Sequence, residues 1–205
     1  MNSYNDLKIT LATMYYPLMI HGKYNNKWKY AVDCGIHHGE YSKLYSTMFD
    51  NVTSIDAIIT SEAKESLAQC ANVTVIKQCL FSSTGDSMTF YEPEEYEALS
   101  TLYKSFLYHN LDDPKNITEH KFTTSKLDDL IDSPIDFLKT DLEGADCETL
   151  MGATELISKN RPTIVTDLHN HLIEKFLNNL DYKKYQHNEV WCKDAIYFPN
   201  EIEHG

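Results

Sequence analysis

The chain has 205 residues, 18 of them Lys or Arg and 31 Asp or Glu, for a formal net charge of −13 at pH 7. That length fits one domain, residues 1–205, and 42% hydrophobic residues, with 12% aromatic, supply enough apolar surface for a core, which excludes a disordered chain. An acidic field repels phosphates, so non-specific binding to nucleic acid or to an anionic membrane is excluded, and no run approaches the roughly 18–20 apolar residues of a membrane span.

The amino-terminal run Met1-Asn2-Ser3-Tyr4-Asn5-Asp6 lacks the basic-then-apolar order of a signal peptide. Five cysteines (Cys34, Cys70, Cys79, Cys147 and Cys192) are odd in number and follow neither a zinc spacing nor a disulfide framework. Reduced thiols in a cytoplasmic setting are therefore expected.

Residues 1–28 read as an N-terminal extension. Trp28–Asp33 is a short apolar run ending in an acid, the first predicted strand. Glu40–Phe49 places Tyr41, Leu44, Tyr45, Met48 and Phe49 on a helical face. Val52–Asp56 is a second strand, and Ser61 opens a capped helix through Ala71. The β-branched run Val73–Leu80 is a third strand. Gly85-Asp86 marks a turn before a strand at Met88–Tyr91. Residues 92–120 are acidic and aromatic, helical in look over Glu94–Tyr108, and fit either a substrate lid or a helix packing its rings inward. Lys126–Ile131 is a short amphipathic turn. Ile135–Asp141 is a fourth core strand, Asp146–Ser158 a helix, Thr163–Asp167 a fifth strand and Leu172–Leu180 a helix. Tyr182–Gln186 and Ala195–Phe198 close the sheet as a hairpin.

Strands alternating with helices predict an α/β fold, with a mostly parallel sheet covered on both faces. Ligands of such sheets bind outside the carboxyl ends of the strands. Asp33, Asp56, Asp141 and Asp167 stand at those ends. Asp33-Cys-Gly35-Ile-His37-His38-Gly39 links the first strand to the first helix, with Gly35 permitting a tight turn and Gly39 a close approach. Asp56, at the end of the second strand, suits the ribose hydroxyls of an adenosine. The loop lacks the middle glycine of G-x-G-x-x-G, through which a pyrophosphate approaches. The acid at its start suits a cationic group, which favours S-adenosylmethionine over NAD. His37 and His38 are either loop residues lining the cofactor or solvated side chains.

The second half carries Ser125-Lys-Leu-Asp-Asp, then Ile135-Asp-Phe-Leu-Lys-Thr-Asp-Leu-Glu-Gly-Ala-Asp146, then Leu150-Met-Gly-Ala153, then Arg161-Pro before a strand. In this order the segments resemble the FkbM family of S-adenosylmethionine-dependent methyltransferases, from about Lys29 to about His169. The run Lys139-Thr-Asp-Leu-Glu-Gly-Ala is the most specific part. Two positions depart from the family pattern. A shorter acid, Asp56, stands where the family has Glu in F-E-P, and Asp167 stands where strand five ends in Glu.

The resemblance implies a Rossmann-like class I methyltransferase sheet of seven strands, six parallel and one antiparallel. It implies Asp33, Gly35, His37 and Gly39 around the methionine part of the cofactor, Asp56 on the ribose with Ala57 nearby, and Leu80 and Phe81 near the adenine. Methyl transfer needs an aligned nucleophile and a group to take its proton. If the fourth strand persists, Asp141 and Glu143 share one face. Asp141 then sits near the methyl or the cofactor's amino end, with Glu143 as general base or substrate anchor. His169 is a further candidate base. Asp141, Asp167 and Asn170 are oxygen donors that would suit Mg²⁺ or Ca²⁺. The expected reaction is O-methylation of a hydroxyl on a sugar, glycan or other small molecule. A catalytically silent methyltransferase-like binding module and an NAD-type oxidoreductase are the other readings.

Overall fold

The structure is a computed structural model that describes residues 4–94, 96–111, 114, 116–167, 170–186 and 194–203. The first half lays down α1 (Tyr4–Tyr24), β1 (Tyr30–Cys34), α2 (Glu40–Ser46), β2 (Asn51–Asp56), α3 (Ser61–Leu67), β3 (Val73–Lys77), β4 (Cys79–Leu80) and β5 (Ser87–Pro93). Then follow α4 (Lys104–Asn110), β6 (Ile117–Ser125), β7 (Phe137–Thr140), α5 (Asp146–Met151), α6 (Thr154–Asn160), β8 (Thr163–Thr166), α7 (His171–Asn179), β9 (Tyr182–Lys184) and β10 (Ala195–Pro199).

Seven strands form one sheet in the order β3-β2-β1-β7-β8-β10-β9. Neighbours from β3 to β8 pair in parallel, and β10 runs antiparallel to both β8 and β9. The chain thus has an α/β fold with a mostly parallel sheet. The central strands are buried along their whole length, as β7 and β8 show, because helices cover both faces. Successive strand residues feed opposite layers. Val32, Leu138, Ile164 and Tyr197 pack with Leu150, Ile157, Ile173 and Leu177 of α5, α6 and α7. Ala31, Phe137, Val165 and Ile196 pack with Leu18 of α1 and with Leu44 and Tyr45 of α2.

Residues 14–21 pack against the sheet. The helix α1 buries Met14, Tyr16, Leu18 and Ile20. Its His21 is fully buried, with Nδ1 2.7 Å from Thr163 Oγ1 and Nε2 2.7 Å from the Lys27 carbonyl. Burial lowers that imidazole to about 4, so it is neutral at physiological pH.

The expected third strand is two strands. β3 stays with β2, while β4 pairs in parallel with β6 in a second sheet of order β4-β6-β5. Segment 92–120 contains a 3-10 turn at Glu97–Leu99, the helix α4 and the start of β6 in place of one helix over 94–108. β6 pairs antiparallel with β5 from Ser87↔Thr123 to Pro93↔Ile117. This second sheet stands beside the carboxyl ends of β1, β2 and β7. Cys34, Cys79 and Cys147 are buried free thiols and Cys70 is a half-buried one; Cys192 lies outside the described residues. No helix among the described residues is long and apolar enough to cross a membrane.

Candidate active site

A cavity of about 180 Å³ opens where β1, β2, β4 and β7 end. Its floor and near wall include Gly35, His37, Asp56, Ala57, Leu80, Asp141, Leu142 and Glu143. Its far wall comes from the second sheet and the segment after it, with Phe90, Glu92, Ser100 and Leu102.

The floor depends on one glycine. Gly35 has φ +90°, and a Cβ there would stand 1.8 Å from the carbonyl oxygen of Asp141. The loops after β1 and β7 can approach this closely only without a side chain. The Gly35 N–H donates to the Ile55 carbonyl at 2.9 Å, and the Asp141 N–H donates to the Cys34 carbonyl at 2.9 Å. The three strand ends are thereby tied together.

Asp56 fixes the glycine loop from the other side. Its Oδ2 accepts from the N–H of Ile36 at 2.7 Å and of His37 at 3.4 Å, and its Oδ1 accepts from the N–H of Ile58 at 3.2 Å. Burial raises its pKa, and these backbone donors oppose the rise. The shorter side chain turns back onto the loop while still lining the cavity.

Asp33 does not line the cavity. It is fully buried, and its Oδ2 accepts from the Ser42 hydroxyl at 2.5 Å, which in turn accepts from the Ser54 hydroxyl at 2.7 Å. Its Oδ1 has no hydrogen-bond partner among the described residues. Burial raises this acid to about 6, against the pull of Lys139 and Ser42. Gly39 and Phe81 also stand outside the cavity wall. Gly39 is the N-cap of α2, against Leu67. The Phe81 carbonyl passes close to Gly152, where a Cβ would be 2.3 Å away.

The strand does not persist to Glu143. β7 ends at Thr140, and Glu143 has φ +47°. Asp141 and Glu143 therefore do not share a strand face, yet both reach the cavity because the loop turns between them. The Thr101 hydroxyl donates to the Glu143 carbonyl at 2.7 Å, which fastens this loop to the segment after β5. Burial, then the charges of Asp141, Asp167 and Asp146, push Glu143 up to about 8. Burial also raises Asp146 to about 6 and Asp194 to about 7. Asp146 does not act as a side-chain cap, since Ala145 stands at the N-cap of α5.

Of the three oxygen donors weighed for a metal, which is not the favoured reading, two have other partners. Asn170 caps α7, its Oδ1 accepting from the N–H of Leu172 and Ile173, both at 3.0 Å. The Asp141 Oδ2 is paired with Lys139 at 2.9 Å. Among the described residues no group of three His, Cys, Asp or Glu side chains is arranged to hold a metal ion. His169 lies outside the described residues.

Several wall residues escape a reading of the sequence. Thr60, Gln78, Ser100 and Glu92 line the cavity, and Glu92 Oε2 lies 2.7 Å from His120 Nε2 across the β5–β6 pair. Extending the strand at Met88–Tyr91 by two residues would have placed Phe90 and Glu92 on one face.

A seven-stranded sheet with the reversed strand β10, and a cavity over the ends of β1, β2 and β7, define a class I methyltransferase fold. The FkbM methyltransferase domain matches residues 33–191, and the chain belongs to that family. None of the curated proteins matches it. The methyltransferase FkbM structure from Methylobacillus flagellatus KT is similar at 18% identity and a TM-score of 0.49, over 83% of this chain and 43% of that one. This chain thus spans less than half the length of that protein. N-methyltransferase NodS from Bradyrhizobium japonicum WM9, in complex with S-adenosyl-L-homocysteine, is similar at 9% identity and a TM-score of 0.47, over 93% and 85% of the two chains. The Burkholderia thailandensis 1,6-didemethyltoxoflavin-N1-methyltransferase is similar at 10% identity and a TM-score of 0.49, over 95% and 80%.

Proposed function

We propose that the protein transfers a methyl group from S-adenosylmethionine to a hydroxyl of an uncharged small molecule or sugar. One observation carries this reading. The described wall of the cavity holds four acidic side chains (Asp56, Glu92, Asp141 and Glu143) and no lysine or arginine. Such a wall suits a cationic cofactor and disfavours an anionic acceptor. The residues fit the cofactor in a further way: the glycine loop approaches the strand ends without a Cβ.

Gly35, His37 and Asp141 would hold the amino-acid part. Asp56 and Ala57 would lie by the ribose, and Leu80 by the adenine. Asp33 and Gly39, placed behind the loop, would act by shaping it, and Phe81 has no direct role in this reading. When bound, the cofactor supplies an electrophilic methyl on sulfur. Glu143 would take the proton that the acceptor hydroxyl loses as its oxygen bonds to that methyl and the methyl–sulfur bond breaks, with S-adenosylhomocysteine as the leaving group. A carboxyl raised to about 8 is a stronger base than an ordinary glutamate and is matched to neutral pH.

Isothermal titration of the purified protein with S-adenosylmethionine, S-adenosylhomocysteine and NAD tests the reading. Binding of the first two and not the third is expected. Binding of NAD alone, or of none at millimolar ligand, would sink it. Labelled-methyl transfer to hydroxyl and amine acceptors then separates O- from N-methylation.

A further inference from the structure

Lys139 belongs to the most specific sequence motif of the chain, and nothing above gives it work. It lies on β7, whose four residues are all buried, and is itself 1% exposed. Burying a lysine there is costly unless it is paired, and an apolar side chain would pack without that cost. The lysine is paired. Its Nζ is 2.9 Å from Asp141 Oδ2 and 4.3 Å from the centre of the Tyr41 ring.

Acids stand near it on several neighbouring elements. Asp33 comes from β1, Asp141 and Glu143 from the loop after β7, Asp146 from α5 and Asp194 from the residue before β10. Cys34 and Tyr41 are the other titratable neighbours, from β1 and α2. Burial works to lower the lysine's pKa, but the charges of Asp141 and Asp33 outweigh it and hold the ammonium charged. Among the pairs this lysine makes, the Asp141 contact reaches the cavity wall directly.

We infer that Lys139 is a positioning residue. It fixes the Asp141 carboxylate at the cavity wall, where that carboxylate receives the ammonium of the ligand's amino-acid part. This rests on the proposed cofactor. The lysine does not touch the ligand and acts through Asp141. The ion pair uses one carboxylate oxygen and limits how the side chain can turn. Without the pair, Asp141 is free to rotate into water, and the adenosine end of the site is unaffected.

The test compares ligands that differ at one end. S-adenosylhomocysteine carries the amino-acid part, and 5′-methylthioadenosine shares the adenosine and the sulfur without it. Calorimetry of wild type and Lys139→Met should show S-adenosylhomocysteine weakened at least about tenfold and 5′-methylthioadenosine changed less than about threefold. A merely structural lysine would weaken both alike. Equal loss for the two ligands, or no loss for either, overturns the inference. If Lys139→Met does not fold, Lys139→Gln gives the same comparison, since its shorter, uncharged side chain breaks the ion pair with Asp141.

Asp141→Asn is the second arm. It should show the same selective loss, and adding Lys139→Met to it should cost little more. Uniform weakening in Asp141→Asn refutes the inference whatever the lysine variants do. Wild type that binds neither ligand would instead remove the proposed function.

Discussion

Glu143 gives the most direct check on the electrostatics of the site, through Glu143→Gln. The ordinary glutamate value is 4.5, and in the fold the group stands at about 8, first through burial and then through Asp141, Asp167 and Asp146. The folded protein therefore holds a proton that the unfolded chain has released. Stability falls as pH rises through the interval between those values, and the loss is complete above about pH 8. At about 1.4 kcal/mol per pH unit the fully shielded cost would be on the order of 5 kcal/mol. The side chain is only half-buried, and solvent screening reduces this to roughly 2 kcal/mol.

A glutamine at this position keeps the shape and never ionises. Urea unfolding at pH 4, 7 and 9 should give nearly equal stability for the two proteins at pH 4. At pH 9 the variant should be more stable by about 2 kcal/mol. A difference that is the same at pH 4 and pH 9 would refute the reasoning, because it would mean that Glu143 titrates normally. The same group links to rate. Methyl transfer by the wild type should rise with pH up to about 8 and then level off, and the variant should lose on the order of 10²–10⁴ in rate.

Three other outcomes follow from the geometry. Gly35→Ala meets the Asp141 carbonyl at 1.8 Å in a left-handed conformation, so thermal unfolding should show a loss of roughly 3 kcal/mol or more together with loss of S-adenosylhomocysteine binding. Asp56→Ala removes the acceptor for three loop N–H groups; cofactor affinity should fall at least about tenfold by calorimetry, and unchanged affinity would exclude any part for Asp56 in the site. Ser42→Ala withdraws the hydroxyl that donates to Asp33. It should destabilise by about 1–3 kcal/mol, and by more above pH 6 than below it, because Asp33 titrates at about 6 and the bond to the ionised form is the stronger one.

Much of the sheet is written plainly in the sequence. The β-branched and apolar runs at Val52–Asp56 and Thr163–Asp167 lie within one residue of β2 and β8. The helix α1 is hidden because Met14, Tyr16, Leu18 and Ile20 alternate like a strand and Pro17 interrupts them. The helix is buried over a broad arc, so the usual stripe is absent. β6 is hidden for the opposite reason. Ile117–Ser125 is mostly polar, and its ladder with β5 makes it a strand. At the site, the residue types at the strand ends are legible and their directions are not. Whether an aspartate lines the cavity, as Asp141 does, or points at a neighbouring helix, as Asp33 does toward Ser42, depends on contacts between distant segments. The left-handed turn at Glu143 is likewise invisible to a period-two argument.

The overall charge of −13 matters less than where a few of the acids sit. Asp33, Glu143, Asp146 and Asp194 all have raised pKa values with burial as the first cause. One buried lysine stands among them, and it is paired with Asp141. Packing alone would remove such a cluster, since each ionised carboxylate held from water destabilises the fold. Its presence makes sense if the missing positive charge arrives with the ligand. A cation bound in the cavity would draw protons off these acids and relieve their repulsion in one event. The stabilisation by S-adenosylmethionine should then exceed that by S-adenosylhomocysteine, which lacks the sulfonium charge, and the gap should widen between pH 6 and pH 8 as the acids ionise. Thermal melts with saturating ligand at those two pH values read this directly. A gap that narrows with pH would mean that the buried acids are not sensing the cofactor's charge.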